Sequence, residues 1–564
     1  MVSPDGECPR TGSVEPADAN PAADDSVSSA GTETLGGIEK STKAGDVRPG
    51  AGKDSGASGV GDVDIEAQGV GHTQRSTPDL GVERVETRKS HHGFLSRLSQ
   101  GKTEKLPPPV VPVMDLARGI VGWESQHDPE MPLNFSPSRK WLIVVLLAAI
   151  TFMTPFASSI LAPALSAMEA EFEEDDITKG SMPVSIFLLG YAVGPLFLAP
   201  LSEIYGRSVV LICASAWFCA WLIGCAVAPT LDALIFFRFM CGIGGSACQN
   251  IGGAIIADVF AVSDRGRAMT FWMLGPIFGP SCAPVIGAFV SQSIGWRWVN
   301  WLAFIPATMI VVGMMFLNRE TNHQVLMARK AERLRGELGR PELRSCYVDP
   351  DAPMLTKRRI LFIGLTRPPK MLFRSAILSS VSLYIAFVYG CLYLLFNTIP
   401  VVFRDSYHWS VGLTGLVYLA LFVGYAVGLL SFSLLSDRTV VHMTATNGGV
   451  YEPEMRLPDC MWFALILPIT FFWYGWSADK ALHWIVPVIG IVPFGHAASG
   501  LAAFSVLRCA VAAFLPLAGP QMYKTMGVGW GSSLLGFVAV ALVPIPALIY
   551  KYGKWMRTRY PLKL

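Results

Sequence analysis

The stretch APLSEIYGRSVV, Ala199 to Val210, decides how the rest of the chain reads. It sets Glu203, Tyr205, Gly206 and Arg207 between two apolar runs, each long enough to cross a bilayer. About 20 consecutive apolar residues span the hydrocarbon core. Charges and a glycine at such a junction mark the place where a helix leaves the membrane, turns and re-enters. A second copy of this punctuation follows 234 residues later, where Ser436 of LLSDRTVV (Leu434 to Val441) answers to Ser202. Acid and base follow the serine in the same order in both copies.

Working outward, 51% of the 564 residues are hydrophobic and only 16% are charged. A soluble domain carries about a quarter charged residues. The apolar residues begin in earnest at Trp141. Residues 1–138 are polar and poor in aromatics, so they are expected to form a disordered cytoplasmic tail, with a short amphipathic turn or a plain linker at Gly93 to Gln100. No apolar core sits near residues 10–25, so a cleavable signal peptide is not expected. Spans are predicted near 141–163, 182–203, 209–229, 232–257, 268–291 and 297–317, then near 376–402, 412–435, 461–477, within 484–519, and at 528–550.

Charge orients this array. ARKAERLRGELGR and LTKRRI lie in the segment 318–373, SDRGRAM joins spans four and five, and the end of the chain reads KYGKWMRTRYPLKL. EAEFEEDD, between spans one and two, is acidic. Positive-inside bias puts both termini and the central segment in the cytosol. The predicted organisation is a tail (1–138), a first bundle (139–317), a cytoplasmic loop (318–373), a second bundle (374–552) and a basic C-terminus (553–564). Asn134 opens a glycosylation sequon, but this orientation leaves it in the cytosol and unused.

A net charge of +2 and the lack of a basic, aromatic stripe argue against a nucleic-acid partner. Most of the 11 cysteines fall inside spans, without zinc spacing, so they read as small apolar packers. No metal set, cofactor motif or catalytic constellation appears. Six spans, a basic loop and a second punctuated set form two related halves, the plan by which secondary transporters build a midplane cavity.

These features resemble the major facilitator superfamily, and within it the fungal twelve-span drug:proton antiporters that include polyamine and multidrug exporters. PLSEIYGR is similar to the loop motif between spans two and three, with Glu203 as its acid, Gly206 at its turn and Arg207 as its base. Ala199 and Ser208 stand where that motif has a glycine and a second base. RFMCGIGGSACQNIGGAIIADVF resembles the fourth-span motif, with Arg238 as its buried base followed by Gly242 and Gly244. GPIFGPSCAPVIGAFV resembles the fifth-span antiporter motif, with Gly275, Pro276, Gly279, Pro280, Pro284 and Gly287. WRWVNW fits the start of span six, and Arg508 also matches.

The resemblance implies an all-α polytopic fold of two six-helix bundles. It also implies efflux of small amphipathic or cationic compounds against protons, by alternating access, in a plasma or vacuolar membrane and as a monomer. Uptake of a nutrient by the same fold, or a sensor that does not transport, are the competing readings.

The residues add their own detail. Arg238 is a charge inside an apolar helix, which usually faces a cavity or a partner, so a role in proton coupling or substrate orientation is expected, with a snorkelling arginine as the alternative. Asp258 ends the same span, so an ion-paired latch among Glu203, Arg207 and Asp258 is expected. Its alternative is a solvated cap. Tyr389, Tyr393 and Asn397 step by four and share one helical face, as a cavity lining or as interface anchors. Gln249 and Asn250 are further lining candidates. Gly279-Pro280 removes a side chain and a backbone donor in mid-helix, which allows a kink or close packing.

One count does not close. Trp484 to Gly519 offers 36 residues, short of the roughly 40 plus a turn that two crossings need. One crossing would place the basic C-terminus outside. Span ten is therefore expected to be truncated, with about 20 residues missing after Gly495 by deletion or a misread intron. Sequencing the transcript checks this: an extra in-frame segment marks a gene-model error, and its absence predicts impaired transport.

Overall fold

The computed structural model describes residues 112–348, 356–449, 452–499 and 506–559. In a bilayer every backbone polar group must be satisfied within the protein, which leaves helices as the economical spanning element for this chain. The first half comprises spans one to six: Pro137–Ser159, Ile177–Tyr205, Arg207–Ala226, Leu231–Val259, Val262–Ile294 and Trp296–Leu317. The second half starts with span seven, Ala376–Tyr407. Span eight is formed by Val411–Leu416 and Tyr418–Thr446, span nine by Leu457–Asp479 and span ten by Ile485–Ser499. Spans eleven and twelve lie within Val506–Leu542, as two helices separated at Gly527, whose backbone is not helical (φ 79°, ψ 165°). Pro544–Arg559 continues the last span.

Local chemistry sets these boundaries. Asp176, Thr230 and Ser375 cap spans two, four and seven by accepting from the backbone N–H of the second or third helical residue. Spans two and three are separated by Gly206 alone, at φ 108° and ψ 154°. A side chain is strained in that conformation, and a Cβ there would also come 2.1 Å from Glu320 Oε2.

Contacts at each end of the spans agree with an even number of crossings. At one end, Gln292 Oε1 accepts from Gly412 N, Tyr407 Oη donates to Leu482 O, and Asp479 Oδ1 accepts from Gly529 N. At the opposite end, Lys554 meets Glu452 at 2.6 Å and Arg557 meets Glu454 at 3.6 Å. The short tenth crossing reconciles the count. Ile485–Ser499 has 15 residues, about 22 Å at 1.5 Å per residue, against a core of ~30 Å. It is nevertheless packed along its length, with Ile491 and Phe494 fully buried and Ala497 at 1% exposure. Gly495 therefore lies inside a docked helix. Residues 500–505, between this helix and span eleven, lie outside the described residues.

The expected tail needs a second correction. Residues 112–136 are folded against the central segment. Ile120–Val121 (β1) pairs in parallel with Arg344–Ser345 (β2). Trp123 is fully buried and donates to Tyr347 Oη at 3.1 Å. Asp128, 3% exposed, accepts from the N–H groups of Glu124 and Glu130 and lies 4.0 Å from Lys330. The sequon residue Asn134 donates its amide to Gln126 O and Asp128 O. Tail residues 1–111, including the Gly93 to Gln100 turn, and the terminal residues 560–564 lie outside the described residues.

Candidate functional site

The loop motif sits where the C-terminal ends of spans two, four and six converge. Arg207 Nε is 3.7 Å from Asp258 Oδ2, and its Nη1 donates to Ser202 Oγ at 2.8 Å. The expected third member, Glu203, is exposed and stands outside this cluster. Helix phase explains why: Ser202 is fully buried, and the next residue is rotated ~100° away from it.

The second acid in the cluster, beside Asp258, is Glu320, just past span six. Its Oε1 accepts from Arg207 N at 2.8 Å, Thr321 N at 3.0 Å and Asn322 N at 2.9 Å. Ser208 Oγ donates to Arg319 O, and His323 Nε2 lies 2.9 Å from Asp258 O. Every member belongs to the first half, to the short connector after span six or to the helix that follows it, His323–Leu338. The sequence signal for Glu320 was available: it is an acid directly after an apolar span, next to a basic segment. In the second copy of the motif, the side chains of Ser436 and Asp437 lie outside the described residues.

In the first third of span four, Arg238 is fully buried. Its Nε donates to Pro183 O at 2.9 Å, and Nη1 and Nη2 donate to Ala157 O and Ser158 O at 2.8 Å each. Its guanidinium also lies 4.7 Å from the centre of the Phe187 ring. Ala157 and Ser158 are in the last turn of span one, where carbonyls lack helical partners. The charge therefore caps one helix and clasps another, and neither a snorkelling side chain nor a cavity-lining one describes it.

The stripe on span seven divides into three environments. The ring of Tyr389 lies 4.3 Å from the guanidinium carbon of Arg508, which is 4% exposed. Tyr393 Oη is 2.6 Å from Ser158 Oγ, a hydrogen bond that joins the two halves. Asn397 is 2% exposed, and both of its amide atoms are buried without a hydrogen-bond partner. A cavity of about 430 Å³ opens between the halves, at the end of span seven that leads to Tyr407. Its wall includes Glu169, Asn397, Thr398, Trp409, Tyr523 and Lys524. Of the residues expected to line a cavity, Asn397 alone reaches this one. Arg238, Tyr389, Tyr393 and Arg508 lie deeper, where the Ser158–Tyr393 contact closes the bundles on each other. Gln249 and Asn250 are half-buried on span four, and the Asn250 amide donates to Ser246 O at 2.7 Å.

The fifth-span motif has a packing role in this geometry. A Cβ at Gly275, Gly279 or Gly287 would come 2.9, 2.8 or 2.2 Å from the backbone of span one. The three glycines thus form the seam along which spans one and five touch. Pro276, Pro280 and Pro284 lie within one helix, Val262–Ile294. Pro280 O, one of the motif's carbonyls, accepts from Ser159 Oγ at 3.0 Å.

Comparison with known proteins accords with this architecture. The family model described as Major Facilitator Superfamily matches residues 147–554. The "MFS transporter cpaT" of Aspergillus oryzae is 43% identical over 466 residues, covering 79% of this chain and 93% of that relative. The "Efflux pump radE" of Floropilus chiversii is 39% identical, covering 79% and 86%. Among solved structures, the xylose transporter XylE from E. coli aligns with a TM-score of 0.55 at 16% identity, over 73% of this chain and 99% of that one. At that identity the likeness concerns the fold alone. With a family match over most of the apolar region and full-length relatives of this kind, the chain belongs to the Major Facilitator Superfamily and is a multi-pass membrane transporter.

Proposed function

We propose that this chain exports small amphipathic or cationic molecules in exchange for protons, as a monomer in the plasma membrane. The observation that carries this reading is the arrangement around Tyr393. An external cavity ends at an unpaired carboxamide, Asn397, and below it the halves are closed by the Ser158–Tyr393 hydrogen bond between two buried arginines. An exporter that has released its cargo presents such a state: open outward and shut at the centre. Alternating access then requires the Ser158–Tyr393 bond to break as the halves rock, while Arg238 holds spans one, two and four as one body. The Arg207–Asp258–Glu320 cluster keeps the cytosolic face of that body in shape. The efflux direction draws on the curated relative named an efflux pump.

Reconstituted vesicles loaded with a fluorescent cationic dye test the reading. An imposed proton gradient is expected to drive dye movement in one direction, and its collapse by an ionophore is expected to abolish accumulation. Accumulation that ignores the gradient would sink the antiporter mechanism.

A further inference from the structure

The helix Lys357–Arg374 leads from the central segment into span seven. Its 18 residues, KRRILFIGLTRPPKMLFR, include six bases and no acid. Arg358, Arg359, Arg367, Lys370 and Arg374 are all exposed. None of the five pairs with a carboxylate among the described residues.

Two contacts fix the depth of this helix. Gly364 lies against span two so closely that a Cβ there would come 2.3 Å from Pro200 Cγ. Pro200 precedes the end of span two by five residues, roughly 7 Å along a helix axis. At the other end, Ser375 directly follows Arg374 and caps span seven. The helix therefore runs at the level where spans two and seven meet the cytosol, which is the boundary between headgroups and acyl chains. Phe362 and Phe373 are 64% and 85% exposed. Their separation of 11 residues is close to three full turns, so both rings lie on one face. Gly364 lies about 200° from Phe362 around the axis, which puts the face held by span two opposite the aromatic one.

A basic amphipathic helix of this kind recognises anionic lipid surfaces, with aromatic side chains entering the boundary and cations meeting headgroup charges. We propose that Lys357–Arg374 binds anionic phospholipids of the cytosolic leaflet. Because the helix rests on span two of the first half and continues into span seven of the second, bound lipid biases how the two halves sit and hence the transport rate. This goes beyond the export reading, and the binding half of it stands whatever the cargo is.

The test uses the purified full chain in phosphatidylcholine vesicles, with and without phosphatidylserine. Spin-labelled phosphatidylserine is expected to be immobilised several-fold more than spin-labelled phosphatidylcholine. The quadruple variant R358Q/R359Q/R367Q/K370Q is expected to lose that preference while keeping its melting temperature in neutral lipid, since these side chains are exposed. F362S/F373S is expected to weaken it with the charges intact. Inorganic phosphate at millimolar concentration is expected not to compete, which separates a lipid surface from a soluble anion site. Full selectivity in the quadruple variant would overturn the proposal and leave this face to a second protein or a second copy. Competition by phosphate would overturn the lipid assignment. Lipid selectivity is read without transport, so a failed efflux assay and a failed lipid assay remain distinguishable.

Discussion

Replacing Arg238 by alanine is expected to abolish transport and to deplete folded protein from the membrane. The guanidinium satisfies three buried carbonyls on two helices, Ala157 and Ser158 of span one and Pro183 of span two. Leaving a buried polar group without its partner costs about 1–3 kcal/mol, and in lipid no water can take over. Three such losses sum to about 3–9 kcal/mol, a large share of the roughly 5–15 kcal/mol by which a domain is typically stable. Arg238→Lys is the informative companion. It keeps the charge, but a compact ammonium does not reproduce the planar fork that reaches three acceptors at once. That variant is expected to insert and fold, with transport lowered at least about tenfold, which corresponds to ~1.4 kcal/mol of barrier. Size-exclusion profiles and efflux rates measured on the same preparations check both. An Arg238→Ala protein with wild-type melting would mean that the three carbonyls are satisfied without it.

The contrast between what the sequence dictated and what it concealed follows from range. Apolar runs, the Gly206 turn and the paired LSE and LSD punctuation are local signals, and they placed the helices and halves. The stripe Tyr389, Tyr393 and Asn397 was also correct in phase, because a step of four residues keeps one face of a helix. What each member touches was illegible: an arginine about 120 positions onward, a serine of the other half 235 residues back, and an open cavity. The ordering of residues 112–136 was hidden for the same reason. Trp123 meets Tyr347, 224 residues away, and average composition over a long polar tail dilutes one tryptophan. Span ten was legible as a defect of length only, since the sequence does not say how short a packed crossing may be.

The loop motif gives the sharpest test of these two kinds of information. Glu320→Ala is expected to lower stability by about 2 kcal/mol or more, whereas Glu203→Ala is expected to stay within about 0.5 kcal/mol. Hydrogen bonds to a charged group contribute roughly 1.5–3 kcal/mol each, and Glu320 accepts three from backbone N–H groups, one of them on the first residue of span three. A carboxylate there also meets the positive end of that helix. These terms share one oxygen and a half-buried site, so they do not add in full. Glu203 is exposed, and substitutions at such positions rarely exceed about 0.5 kcal/mol. Gly206→Ala supplies the coupling. In the native background its methyl meets Glu320 Oε2, 2.1 Å away, as well as the strain of a positive φ. In a Glu320→Ala background only the strain remains, so the double variant is expected to cost less than the two single variants summed. Melting temperatures of the four proteins in one detergent close the cycle. Strict additivity would place Glu320 outside the turn's support, and a larger loss at Glu203 would return the role of the acid to the residue inside the motif.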